Sequence, residues 1–262
     1  AVIREERSQF QNLANENFIN AEVELSLLNQ DKDGLQEFQV SMLDYKQSNA
    51  KSLFKWVGNL HSLRNKVVLK TGEFGEMNQV TNLKSIQNHW QSLKRELPSK
   101  HKDEPHSVNY IKGINAVLQE NDLFTNTLKY TFPFNNFFPN IFNKEITKTE
   151  AVEGYTEIPN FIGAKVIPLL TKTKLTNFDE AKQTYEIQVE GVLDKENFDQ
   201  EKLTALVKTL KNRLRVPTQI KVNYLERYLF DANHWPLQIL NMYLIQVPGS
   251  IYREEKTILK AI

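Results

Sequence analysis

The chain has 262 residues, 33 basic against 32 acidic side chains, no cysteine, and 40% hydrophobic residues. That length accommodates one large domain or two modest ones, each able to bury a core without covalent staples. A cysteine count of zero excludes disulfides, thiol nucleophiles, iron–sulfur clusters and thiolate zinc sites. A formal charge of +1 offers a polyanion no global field, so no nucleic-acid partner is expected.

No stretch approaches the roughly 18–20 apolar residues that a membrane helix needs, so no membrane span is expected. The chain opens at Ala1 without a signal-peptide pattern. Localisation stays open between an exported chain (periplasmic or cell surface) and an intracellular assembly component. Abundant Asn, Lys, Ile and Phe with sparse Ala and Gly point to an AT-rich bacterial or phage gene.

In chain order, residues 2–17 read as a short polar helix with Ile3, Phe10 and Leu13 on one side. From Phe18 the period changes to two. Ala21, Val23, Leu25 and Leu27 alternate with Glu22, Glu24 and Ser26, and Phe38, Val40 and Met42 alternate on the return, so residues 18–46 predict a β-hairpin. A helix over about 49–64 follows, with Leu53, Trp56, Val57, Leu60 and Leu63 on one stripe. Short strands are expected at Val67–Leu69 and near Phe74–Val80. Asn82 then caps a helix over 83–97 carrying Leu83, Ile86, Trp90, Leu93 and Leu97, which Pro98 ends. Further helical pattern fills 107–129.

Residues 130–142 break every period, with two prolines among unalternating aromatics. Beyond them, Val166–Leu175 and Gln183–Leu193 predict two strands, with Lys172 and Lys174 across from Glu186, Gln188 and Glu190. Gly191 marks a bulge or a close approach. Asp199 caps a helix, Ile220–Phe230 and Leu237–Val247 are strands, and 251–262 supply a last short strand or tail. Leu237–Val247 is apolar on both parities, as a central strand covered on both faces would be.

The expected fold class is therefore α+β: a helix-rich N-terminal half with a β-hairpin, then an antiparallel or mixed sheet of order β-β-α-β-β. The expected organisation is an N-terminal region over 1–130, an aromatic connecting segment over 131–148 and a second domain over 149–262.

Four constellations bear on chemistry. Asn29, Asp31 and Asp33 before Gly34 imitate the start of a calcium loop, but the twelfth position is Val40 where a bidentate Glu belongs. The same residues make an ordinary hairpin turn. His101, Asp103, Glu104 and His106 are metal-competent types in a loop interrupted by Pro105, where a solvated linker is the simpler reading. Lys202, Lys208, Lys211, Arg213 and Arg215, with Tyr224, Arg227 and Tyr228, sketch a basic-aromatic surface that also reads as a solvated helix face. Phe132, Phe134, Phe137, Phe138 and Phe142 are the fourth group. Five such rings need shielding, either as core or by a partner protein, and burial is the favoured reading.

No nucleophile motif stands in the chain, and no cofactor is implied. These features favour a non-catalytic binding or structural subunit of a bacterial or phage-like assembly (surface, secretion or injection apparatus) over an enzyme. It would act through protein–protein contacts with other subunits, possible self-association included. A hydrophobic-ligand carrier and a hydrolase with a carboxylate site assembled through space are the alternatives.

Overall fold

In a computed structural model the described residues are 2–10, 13–32, 35–48, 62–73, 75–100, 107–139, 141, 145–161, 165–201, 203–205, 219–248 and 251–261. Among them 55% lie in strands and 22% in helices, which overturns the helix-rich α+β expectation. The strands are β1 (Val2–Phe10), β2 (Leu13–Gln30), β3 (Gln36–Gln47), β4 (Lys66–Thr71), β5 (Met77–Val80), β6 (Val152–Phe161), β7 (Lys165–Asp179), β8 (Thr184–Leu193), β9 (Lys221–Asp231), β10 (Pro236–Val247) and β11 (Ile251–Lys260). They form one 11-stranded sheet of order β5-β4-β3-β2-β1-β11-β10-β9-β8-β7-β6. The described strand pairs run antiparallel, not mixed.

The chain divides into two compact units, one of Ala1–Ile19 with Lys144–Ile262 and the other of Asn20–Asn143. In the first, the expected helix over 2–17 is replaced by β1 and the start of β2. The misreading has a physical cause. β1 does alternate, with Val2 buried and Arg4 and Glu6 on the same face, but its inward positions are charged, so the apolar signal of period two is missing. β6 also escaped the sequence reading, because Glu153, Gly154 and Thr156 interrupt its apolar residues.

β7 and β8 pair as expected, with Lys172 opposite Glu190 and Lys174 opposite Gln188, although β7 runs on to Asp179. β10 lies between β9 and β11, consistent with its apolar residues on both parities. One apolar cluster gathers Ile158, Ile167, Leu169, Ile245, Val247 and Ile251 from the strands, with Leu203 and Ile220 from the segment between β8 and β9 closing over it. The expected helix after Asp199 is described only at its start, where Leu203 N–H donates to Asp199 C=O at 3.2 Å; the rest of its stripe lies outside the described residues.

In the second unit the hairpin of β2 and β3 stands where the alternation placed it, followed by β4 and β5. The helices are α1 (Leu83–Lys100), α2 (Ser107–Val117), α3 (Asn121–Leu128) and the one-turn α4 (Phe134–Phe137). Ile86, Trp90 and Leu97 of α1 are buried as the stripe required. Two details differ. α1 continues to Lys100, past Pro98, whose missing N–H falls in the last turn. Asn82 turns its side chain to the sheet instead of capping α1: its Oδ1 accepts from Val68 N–H at 2.9 Å and its Nδ2 donates to Lys66 C=O at 3.0 Å. Asn121 clasps β5 in the same way, through Val80 N–H and C=O at 3.1 and 2.6 Å. The expected helix over about 49–64 falls outside the described residues, except for a 3-10 turn at Ser62–Arg64.

Candidate functional site

The first unit carries its chemistry on one sheet face, and strand register alone assembles it. Reading across β6, β7, β8, β9, β10, β11 and β1, one row runs Gly154, Thr171, Gly191, Tyr224, Tyr243, Glu255, Glu6. The next row runs Val152, Thr173, Val189, Glu226, Asn241, Thr257, Arg4. Apolar residues flank the two rows, with Leu169 and Ile245 at one end and Tyr228, Phe230 and Ile239 at the other. The result is a polar band enclosed between greasy ends.

Glu6 and Glu255 face each other across β1 and β11. Like charges in that position repel. Arg4 resolves the conflict by bridging both: it pairs with Glu6 and donates to Glu255 Oε2 at 2.8 Å. Tyr243 Oη donates to the same Glu255 oxygen at 2.5 Å, and Arg253 stands 3.7 Å away. Asn17 Nδ2 donates to Glu6 Oε2 at 2.8 Å. Burial opposes the charge on Arg4, but Glu255 and Glu6 outweigh it and hold the guanidinium pKa above its ordinary value. Burial likewise works against ionised Glu6, yet Arg4 and the Asn17 amide keep its carboxyl below the usual range. For Tyr243, burial and then the Glu255 charge push the phenol well above its ordinary value.

Two strands further, Glu226 accepts from Tyr224 Oη at 2.5 Å and from Asn241 Nδ2 at 3.0 Å, with Tyr228 as a further hydrogen-bond partner. Burial raises its carboxyl pKa, against the opposing pull of the two phenols. Gly191 is what lets Tyr224 lie there. A Cβ at that position would meet Tyr224 Cδ1 at 3.0 Å and Tyr224 Cβ at 3.1 Å, which is the close approach expected from the sequence.

Glu226 and Glu6 therefore have pKa values pushed in opposite directions, the usual mark of an acid and a base. They do not form a two-carboxylate site. β9 and β1 are three strands apart, about 14 Å at the usual strand spacing. Two-carboxylate hydrolysis uses separations of about 5–9.5 Å. Arg4 engages Glu6 and Glu255, and Tyr224, Tyr228 and Asn241 engage Glu226, so the band is a hydrogen-bonded network in which Arg4 offsets part of the negative charge.

The sequence did not reveal this cluster. Glu254 and Glu255, adjacent on β11, point to opposite faces: Glu255 is buried while Glu254 reaches Arg7 at 3.7 Å. Arg4, Glu6 and Asn17 engage one another near the start of the sequence, but Glu255, which completes the group, lies 251 residues beyond Arg4.

The expected site residues are placed as follows. Asn29 is exposed at the end of β2, and Asp31 closes the hairpin loop, its Oδ1 accepting from Leu35 N–H at 2.9 Å; Asp33 lies outside the described residues. Among the described residues, no three His, Asp or Glu side chains come together as a metal-holding group. The sequence between His101 and His106 also lies outside them. Of the basic-aromatic surface, Tyr224 and Tyr228 turn inward to Glu226, so they are not available to stack on bases.

In the aromatic segment Phe134 is 0% exposed and belongs to the core of the second unit, with Phe137 and Phe138 packed against it. Phe138 meets Phe38 edge-on at 5.7 Å, and Phe132 is buried. Phe142 is outside the described residues.

The opposite face of the first unit shows a different feature. Tyr155, Leu170 and Val192 sit in direct cross-strand register on β6, β7 and β8, and they are 54%, 50% and 62% exposed. Among the described residues no helix is long and apolar enough to cross a membrane. No protein-family model and no curated protein matches the chain.

Proposed function

We propose that the chain is a non-catalytic binding or structural subunit that works through protein–protein contacts. The observation that carries this reading is the exposed row Tyr155–Leu170–Val192 at the β6 end of the sheet. Adjacent large apolar side chains in water are a contact surface in waiting, since apolar and aromatic groups dominate interface centres. β6 is also the last strand in the order, where a partner's extended segment could add to the sheet. The partner surface that fits is apolar, with a strand or flat sheet face to lay against the row.

The engagement of Glu6, Glu255 and Glu226 by Arg4, the tyrosines and Asn241 supports the same reading over hydrolysis. The test is purification of the full chain from its native host after mild cross-linking, comparing wild type with Leu170→Glu combined with Val192→Glu. A protein recovered with wild type, and with a control altered at the exposed turn residue Lys182, but lost from the double variant supports the proposal. Equal recovery from all three, with circular dichroism showing the variants folded, refutes it.

A further inference from the structure

The side chains of α4 contain an inconsistency that the core does not resolve. Asn136 is 0% exposed, and among the described residues neither its Oδ1 nor its Nδ2 has a hydrogen-bond partner. Asn135 Oδ1, on the neighbouring residue, is buried and unpartnered as well. The backbone holds both amides in place, since Asn135 N–H donates to Thr131 C=O at 3.1 Å and Asn136 N–H to Pro133 C=O at 3.0 Å. In the same stretch of chain Phe132, Phe134 and Pro139 are buried.

Removing three polar atoms from water without compensation costs far more than an ordinary hydrogen bond returns. A leucine would fit an apolar core at the same volume, so two consecutive asparagines imply something for them to bind. The guest's chemistry follows from the atoms. Asn136 presents one acceptor oxygen and one donor NH₂, so a guest that both donates and accepts satisfies it. Complete burial of Asn136 leaves a larger molecule no way in, so the guest is small.

We propose that the Asn136 amide forms the polar wall of a buried site that holds bound water. Such waters make about two to four hydrogen bonds to otherwise unsatisfied groups, and the Asn136 amide offers two open atoms.

A high-resolution crystal structure of the full chain tests this directly. Density for one or two waters within about 3.2 Å of the Asn136 amide supports the proposal. Its absence, or density for a larger molecule there, overturns it. Asn136→Leu supplies a second readout. Loss of the water's anchors lowers the melting temperature, by about 2–4 °C for each kcal/mol in a chain of this size, whereas an amide that binds nothing makes the leucine variant equally or more stable. Should that variant fail to fold, the wild-type density decides.

Discussion

Glu255→Gln isolates the most consequential contact in the molecule. The substitution keeps shape and leaves Tyr243 an acceptor, but removes one of the two carboxylates that flank Arg4. The side chains of Arg4 and Glu255 are only 16% and 10% exposed, so water cannot take the lost partner's place. Breaking a buried pair by removing one member costs about 3–5 kcal/mol. Glu6 still compensates part of the Arg4 charge, so the lower end, about 3 kcal/mol, is expected. Glu254→Gln, one residue away, provides the internal standard. Its side chain is 32% exposed and faces the 57% exposed Arg7 at 3.7 Å, so it should cost no more than about 0.5 kcal/mol. Urea unfolding followed by circular dichroism, with unchanged slope for both variants, measures the difference. If the two variants lose equal stability, the enclosed network does not hold the sheet and the reasoning fails.

The remaining predictions concern the same face. Glu6 has a folded pKa below its unfolded value of about 4.3, so its contribution is complete above that pH and is lost as pH falls through the folded pKa. Glu6→Gln should therefore flatten the stability profile on the acid side, as read from urea midpoints at stepped pH. Glu226 has the opposite sign: its folded pKa is raised, so the ionised form weakens the fold as pH climbs through the unfolded and then the folded pKa. Glu226→Gln, which keeps an acceptor for Tyr224 and Asn241, should match or exceed wild type at pH 8 and lose that advantage below pH 4. Gly191→Ala should cost about 1–3 kcal/mol, because the added Cβ overpacks against Tyr224 and Leu169, and thermal unfolding checks it.

What could be read in advance was whatever repeats locally. The hairpin of β2 and β3 and the α1 stripe each repeat apolar positions at a regular period, so period alone revealed them. β1 was illegible because Arg4 and Glu6 occupy the positions where a half-buried strand ordinarily places valine or isoleucine. Their burial becomes acceptable only once Glu255 and Asn17 arrive to satisfy them. The polar band was hidden for the same reason: its members are neighbours by register across seven strands, and register is a tertiary fact. The phenylalanine segment lay between the two cases. Its need for shielding was evident from composition, and the core of the second unit shields Phe134 fully with Phe137 and Phe138 packed against it.

The pairing of β1 with β11 also dictates an order of events. Val2 waits for Leu259, and Arg4 for Glu255, so β1 docks against a strand synthesised long after it. Closing a loop of that length delays every contact that depends on it. During translation, β1 therefore lacks its neighbour on the β11 side until Ile251–Lys260 leave the ribosome. A nonsense mutation between β1 and β11 would leave Arg4 with Glu6 but without Glu255.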